Sequence, residues 1–170
     1  MACELNIHSV IQESIVDGPG IRMTVFVQGC PHHCPGCHNP QTHDFKGGHL
    51  IDVSSLFEQY KENPLLRGIT FSGGEPFCQA RPLAALGEMV KNHGGTVITY
   101  TGYLYEDLLR ISSQDSAIAD LLAVTDWLID GPYIESLRSL ELNYRGSSNQ
   151  RILLLDPSSP DSVRQLENDA

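Results

Sequence analysis

The sequence predicts an α/β fold, a partial and open βα barrel, and three observations carry that expectation. Short apolar runs of strand type alternate with stretches of helical period along the chain, the order that builds a parallel sheet with right-handed crossovers. Turn-forming residues follow the strand-like runs at Gly73-Gly74, Thr101-Gly102 and Asp130-Gly131, which collects them at one end of the sheet. At 170 residues the chain is shorter than the roughly 250 of a closed eight-unit barrel, so a TIM-like arc of about five or six units is expected. No Gly/Ser-rich or Pro-rich linker divides it, and residues 1–170 are read as a single domain.

Residues 4–12 read as an extended segment. Asp17-Gly18-Pro19-Gly20 is a turn, because two glycines flank a proline of fixed φ. Residues 21–28 place Ile21, Met23, Val25 and Val27 on one face and also carry Phe26, the pattern of a strand covered on both sides. A helix is expected over Val53 to Asn63, where Leu56, Phe57 and Tyr60 share a face and Ser55 with Glu58 suggests a capping box. Gly68 to Ser72 is a strand, and Arg81 to His93 a helix with Leu83, Leu86 and Val90 on one side and Gly94-Gly95 as its stop. Thr96 to Tyr100 is a third strand, followed by helical material at Glu106 to Ile111 and Ser116 to Val124. Trp127 to Asp130 is a fourth strand and Gln150 to Asp156 a fifth, and Ser159-Pro160 offers an N-cap and first position for a last helix. The units therefore number about five, all with parallel strands.

Composition narrows the partners. The net charge of -10 with only 11 Lys and Arg disfavours nucleic acid, which needs clustered cations. No run of about 18 apolar residues occurs, and the N-terminus lacks a basic flank followed by an apolar run, so no membrane partner and a cytoplasmic location are expected. Five cysteines, three of them in one tight loop, suit metal or redox chemistry better than a disulfide framework. Cys3 and Cys78 lie outside that loop.

The loop itself is Cys30-Pro31-His32-His33-Cys34-Pro35-Gly36-Cys37-His38-Asn39, a CxxxCxxC triplet after the first long strand. A 4Fe-4S cluster normally takes four cysteines and structural zinc four protein ligands. Three thiols therefore leave one position for something that reacts. Zinc stays possible on residue types alone, with His32, His33, His38 or His43 as fourth ligand. Ser72-Gly73-Gly74-Glu75-Pro76 reads as a ligand loop or an ordinary tight turn; its glycines let backbone approach a ligand, and Glu75 offers a carboxylate to a cationic group. Asp130 closes an apolar strand, either facing the site or capping the turn at Gly131-Pro132. Tyr100-Thr101-Gly102-Tyr103 is a binding loop or a turn with aromatic neighbours. Arg145 to Gln150 reads as a polar loop and nothing more.

Taken in order, the cysteine triplet, the Ser72 to Pro76 segment and Asp17 to Arg22 resemble the radical S-adenosylmethionine superfamily. Within it, Cys37 to Pro40, Tyr100 to Tyr103, Asp130 to Glu135 and Arg145 to Gln150 are similar to glycyl-radical-enzyme activases, above all those of anaerobic (class III) ribonucleoside-triphosphate reductase. The resemblance spans roughly residues 7 to 155. Gly36 stands where many superfamily members carry an aromatic residue, and the cysteine-rich insert of larger activases is missing. Pyruvate formate-lyase activase is another relative by resemblance.

The resemblance implies one 4Fe-4S cluster on Cys30, Cys34 and Cys37, with S-adenosylmethionine on its open iron. It implies cofactor contacts at Gly36, Cys37, His38, Asn39, Ser72, Gly73, Gly74 and Glu75, and at Thr101 and Asp130 for the carboxylate side or a cation. Reductive cleavage would yield methionine and a 5'-deoxyadenosyl radical that takes a hydrogen atom from a partner's glycine. The implied partners are a glycyl-radical enzyme and an electron donor such as reduced flavodoxin. No catalytic side chain is expected, since the cofactor carries the chemistry. Asp17 to Arg22 is read as a contact for the partner's loop or as a structural turn.

Overall fold

The computed structural model describes residues 3–159 and 162–166. Among these residues eight strands form one open sheet in the order β3-β1-β2-β4-β5-β6-β7-β8. The strands are β1 Glu4–Ser14, β2 Arg22–Val27, β3 His49–Asp52, β4 Gly68–Gly73, β5 Thr96–Tyr100, β6 Trp127–Asp130, β7 Arg151–Leu154 and β8 Arg164–Leu166. The helices are α1 Val53–Lys61, α2 Ala80–Asn92, α3 Tyr105–Ser112 and α4 Ser116–Val124.

Alternation along the strands separates two environments. Met23, Val25, Val27, Ile69, Phe71 and Val97 join Leu56 and Tyr60 of α1, Leu83, Leu86 and Val90 of α2 and Leu121 of α4 in the main core. Residues of opposite parity, Arg22, Thr24, Thr70 and Ile98, are also buried, as expected of parallel strands covered on both faces. This second face is largely polar, apart from a small cluster of Ile98, Ile129 and Ile152 packed against Tyr100, Trp127 and Tyr144.

Among the described residues only β2, β4, β5 and β6 run parallel to their successive neighbours. β7 pairs antiparallel with β6, with Asp130 opposite Arg151, so the expectation of five parallel βα units is corrected. The residues between Asp130 and Arg151 carry no helix beyond the short 3-10 turn Glu135–Leu137, and without a crossover the chain can only return antiparallel. The expected last helix is also corrected where it is described: Arg164–Leu166 is a strand on β7, while Pro160 and Asp161 lie outside the described residues. β3 escaped the sequence reading because it is four residues long and half exposed. It runs straight into α1, whose N-cap is Asp52, accepting from the Ser54 N–H at 2.8 Å, and not Ser55. The stop of α2 is as expected: Gly94 has φ +93° and the Gly95 N–H donates to Val90 O.

Arg22 begins β2 and is 1% exposed. Its Nε donates to Thr70 Oγ1, one terminal nitrogen to Thr96 Oγ1 and Pro19 O, and the other to Ile69 O and Thr96 O. All five donors are used, on β4, β5 and the preceding turn. Burial pulls the guanidinium pKa down to about 10. Asp17 is held in the same region, accepting from Ser14 Oγ at 2.5 Å and Thr24 Oγ1 at 3.0 Å. At the far end of the sheet, fully buried Asp130 accepts from the Tyr105 N–H and from the Nε and a terminal nitrogen of Arg151, which also grips exposed Glu106.

Arg22→Ala is expected to lower the unfolding free energy by roughly 3–5 kcal/mol, through a large cavity and orphaned carbonyls. Denaturant titration of the metal-free protein measures it, and a loss below about 1 kcal/mol would show the network to be dispensable. Asp130→Ala should cost roughly 3 kcal/mol by leaving Arg151 without its buried partner. In the same assay Glu106→Ala should cost less than about 1 kcal/mol, because that carboxylate faces water.

Candidate metal and cofactor site

Three loops meet where β2, β4 and β5 end. Backbone bonds knit them: the Gly74 N–H donates to Val27 O, the Glu75 N–H to Gly29 O, and the Gly29 and Cys30 N–H groups to Thr42 O and His43 O. Gly73 has φ +92°, and a Cβ there would lie 2.7 Å from Phe26 Cα. At Gly74 a Cβ would lie 2.3 Å from Gly29 O. These glycines therefore let the end of β4 press against the start of the cysteine loop, a reason beyond ligand approach that the sequence did not show.

The loops surround a cavity of about 400 Å³, within the range of small-molecule sites. Cys30, Cys34 and Cys37 all line it, with His38 and Asn39 beside them, Ser72, Gly73 and Gly74 from β4, and Thr101 from the loop after β5. The structure thus brings together most of the residues singled out by sequence. Gly36, Glu75 and Asp130 are not in the lining. Gly36 has φ +73° and lies under Glu135, whose Cδ a Cβ would meet at 2.6 Å. Asp130 is committed to Arg151 and to the Tyr105 N–H at the start of α3, which is neither the cavity nor the Gly131-Pro132 turn that the sequence offered.

Glu75 differs most from expectation. It is fully buried, and its carboxylate accepts from His32 Nε2 at 2.7 Å, Thr101 Oγ1 at 2.8 Å, the Gly102 N–H at 2.8 Å and the Phe77 N–H at 3.1 Å. The cationic or donor group it was expected to meet is the chain's own His32. Glu75 lies behind the cavity wall and joins the loops that form it.

All three loop cysteines are free thiols. Burial pushes the Cys30 pKa up, while the His32 backbone amide pulls it back by favouring the thiolate. The Asn39 N–H donates to Cys37 Sγ at 3.4 Å. Among the described residues no group of three or more His, Cys, Asp or Glu is gathered about a point suited to one ion. Four of the histidines have other neighbours: His32 meets Glu75, His38 the Tyr133 ring, and His33 and His43 each other. Three thiols on one cavity, with no histidine free of other neighbours, leave structural zinc short of its fourth protein ligand. A cube of irons held by three thiolates keeps one corner open, so the residues present fit a cluster better. Cys3 and Cys78 are not in the lining.

Several lining residues were missed as site residues, among them Phe26, Tyr133, Tyr144, Arg145 and Gln150. The Arg145 to Gln150 loop is braced on the segment after β6. Gln150 Nε2 donates to Gly131 O, Asn149 Nδ2 to Pro132 O and the Ile134 N–H to Ser147 Oγ. Its available signal was position, since it connects to the same end of the sheet as the cysteine loop.

Comparison with known proteins agrees with this geometry. Residues 16–153 match the family described as a 4Fe-4S single cluster domain. The anaerobic ribonucleoside-triphosphate reductase-activating protein of Escherichia coli (strain K12) is 32% identical over 154 residues, covering 86% of this chain and 96% of that one. Its namesake from Enterobacteria phage T4 is 31% identical over 154 residues, covering 87% of this chain and 93% of that one. The pyruvate formate-lyase-activating enzyme of Clostridium pasteurianum is 37% identical over 134 residues, covering 71% of this chain but 53% of its own. With a three-thiol loop, a glycine-lined strand end and matches across most of its length, the chain belongs to the 4Fe-4S single cluster domain family and, within it, to the radical S-adenosylmethionine activating proteins of glycyl-radical enzymes.

Proposed function

We propose that this protein is an activase that installs a glycyl radical on an anaerobic (class III) ribonucleoside-triphosphate reductase. The observation that carries the reading is the meeting of three free thiols with the Ser72 to Gly74 strand end on one cavity. Relatives named for activating that reductase match nearly end to end, whereas the pyruvate formate-lyase-activating enzyme is matched over about half its length. That difference favours the reductase as partner.

A 4Fe-4S cluster and S-adenosylmethionine, when bound, supply one-electron cleavage and hydrogen-atom abstraction. The chain's residues hold and shield them. Cys30, Cys34 and Cys37 are the cluster ligands, one fewer than a closed site takes, which leaves a position for S-adenosylmethionine. Gly36, His38 and Asn39 flank the cluster side, and Ser72, Gly73 and Gly74 take the methionine end, with Thr101 beside them. Glu75 and Asp130 support this arrangement from behind the wall. Phe26, Tyr100 and Tyr133 line the same cavity and exclude water from it, which protects a reactive centre from side reactions. No general acid or base is required.

We read the sheet as part of a TIM-like barrel forming one domain over residues 1–170, left open so that a partner's loop reaches the cavity from the side. Asp17 lines the cavity and is a contact for that loop in this reading. The electron comes from a reduced flavodoxin or similar donor, in the cytoplasm. No helix among the described residues is long and apolar enough to cross a membrane.

Anaerobic reconstitution with iron and sulfide, then reduction with S-adenosylmethionine and the anaerobic reductase, should give a glycyl radical by electron paramagnetic resonance. Cys34→Ala should abolish it together with the cluster absorbance. A radical on another glycyl-radical enzyme and none on the reductase would overturn the partner assignment. An intact cluster that fails to cleave S-adenosylmethionine would overturn the activity.

A further inference from the structure

The connection between β6 and β7, Gly131 to Gln150, is held together by its own bonds. Its two ends leave the sheet side by side, Asp130 lying opposite Arg151, and Gln150 Nε2 ties them by donating to Gly131 O at 3.1 Å. Among the described residues, Pro132 to Tyr144 and Gly146 to Asn149 make their hydrogen bonds only within Gly131 to Gln150. The Ser148 N–H donates to Leu137 O, the Ile134 N–H to Ser147 Oγ, Asn149 Nδ2 to Pro132 O and the Gly146 N–H to Gln150 Oε1. Gly131 has φ +101°, and a Cβ there would meet nothing nearer than 3.8 Å, so this glycine serves the backbone's turn and not close packing.

Across the cavity the same segment meets the cysteine loop without a hydrogen bond among the described residues. The Tyr133 ring lies 4.9 Å from the His38 ring, and the Glu135 carboxylate rests on Gly36, where a Cβ would meet its Cδ at 2.6 Å. This closed position carries a cost. Tyr133 Oη and Asn149 Oδ1 are buried without a partner, so hydrogen bonds that water would supply go unmade. Tyr144 is held at φ +65°, a left-handed conformation that a bulky side chain rarely takes.

We propose that Gly131 to Gln150 is a lid that swings as one body about Gly131 and the Gln150 tie. Closed, it rests on the cysteine loop; open, it admits the small-molecule ligand of the cavity that Tyr133, Leu142 and Tyr144 line. Opening breaks only the Tyr133 and Glu135 contacts, because every hydrogen bond described above travels with the lid. It also brings Tyr133 Oη to water, so the two positions lie close in free energy. Closing shields the ligand from solvent. The proposal rests on the function above only in naming that ligand S-adenosylmethionine.

The chain has one tryptophan, Trp127, and its ring lies 6.2 Å from that of Tyr144 in the lid. Fluorine NMR of the full chain, anaerobically reconstituted and carrying 5-fluorotryptophan at that position, therefore reads the lid without an assay of activity. Tyr133→Phe removes the unpaired hydroxyl and favours closure, whereas Tyr133→Ala removes the ring from His38 and favours opening. The two variants should move the resonance, or the balance between two resonances, in opposite directions. If Tyr133→Ala does not fold by circular dichroism, Glu135→Ala takes its place by freeing the Gly36 contact. The second readout is the rate of S-adenosylmethionine binding and release by unreduced protein. A gate sets both rates, so Tyr133→Phe should slow both by at least about fivefold, the least that an unmade buried hydrogen bond is worth, with their ratio nearly unchanged.

A resonance that neither variant moves, or that both move the same way, would overturn the lid. So would a Tyr133→Phe protein that releases the ligand faster with binding unchanged, the mark of a lost ligand contact. Opposite shifts in protein that binds no S-adenosylmethionine would support the lid and overturn the ligand's assignment instead.

Discussion

The structure depends on three parallel strands being pinned at both ends by single buried charged side chains. At their starts Arg22 of β2 spends all five donors on β4, β5 and the turn before β2. At their ends Glu75, just past β4, accepts from the loops that follow β2 and β5. Each group pays a desolvation cost that hydrogen bonds must offset, so neither is tolerated unless every partner stays in place. That condition makes the pins specific. A slip of one strand by a residue would turn Thr70 toward the helices and Phe71 toward the cavity, and would strip Arg22 of its Thr70 and Thr96 partners.

Between the pins, the helix side is apolar and the other side is polar, so the sheet has no driving force to cover its second face with helices. That face ends in the cavity, where Phe26, Ser72 and Tyr100 continue the parity of Thr24, Thr70 and Ile98. The cysteine loop is then positioned by short, directional contacts rather than by burial. Val27 O and Gly29 O accept from Gly74 and Glu75, and Thr42 and His43 close the loop's other side. Rigid backbone at this point suits a site that must hold its ligands through electron transfer with little reorganisation.

Much of this was legible in the sequence because it rests on local rules. The period of Leu83, Leu86 and Val90 marks α2, the apolar run at Trp127 marks β6, and the spacing of Cys30, Cys34 and Cys37 marks a metal loop. What was not legible depends on pairs distant in sequence. Asp130 reads equally well as a site carboxylate or a cap until Arg151 is seen opposite it across the β6–β7 ladder. Glu75 reads as a ligand for a cofactor's cation because nothing local reveals that His32, 43 residues away, occupies it. Strand direction at Arg151 was likewise undecided by an apolar run, which is the same for parallel and antiparallel neighbours when both faces are covered.

The antiparallel direction of β7 has a functional consequence that a sixth parallel unit would have lacked. β6 ends at the cavity rim, and a strand antiparallel to it must begin at that rim. The connection between Asp130 and Arg151 therefore starts and ends at the rim. A parallel β7 would have needed a crossover carrying those residues down the helix side of the sheet. Instead they fold back over the site: Tyr133, Leu142, Tyr144, Arg145, Gly146 and Gln150 all line the cavity, braced by Ser147 and Asn149. The chain builds one wall of its site from the return stroke of its own sheet, and in so doing encloses on that side a cavity that too few βα units would have left bare.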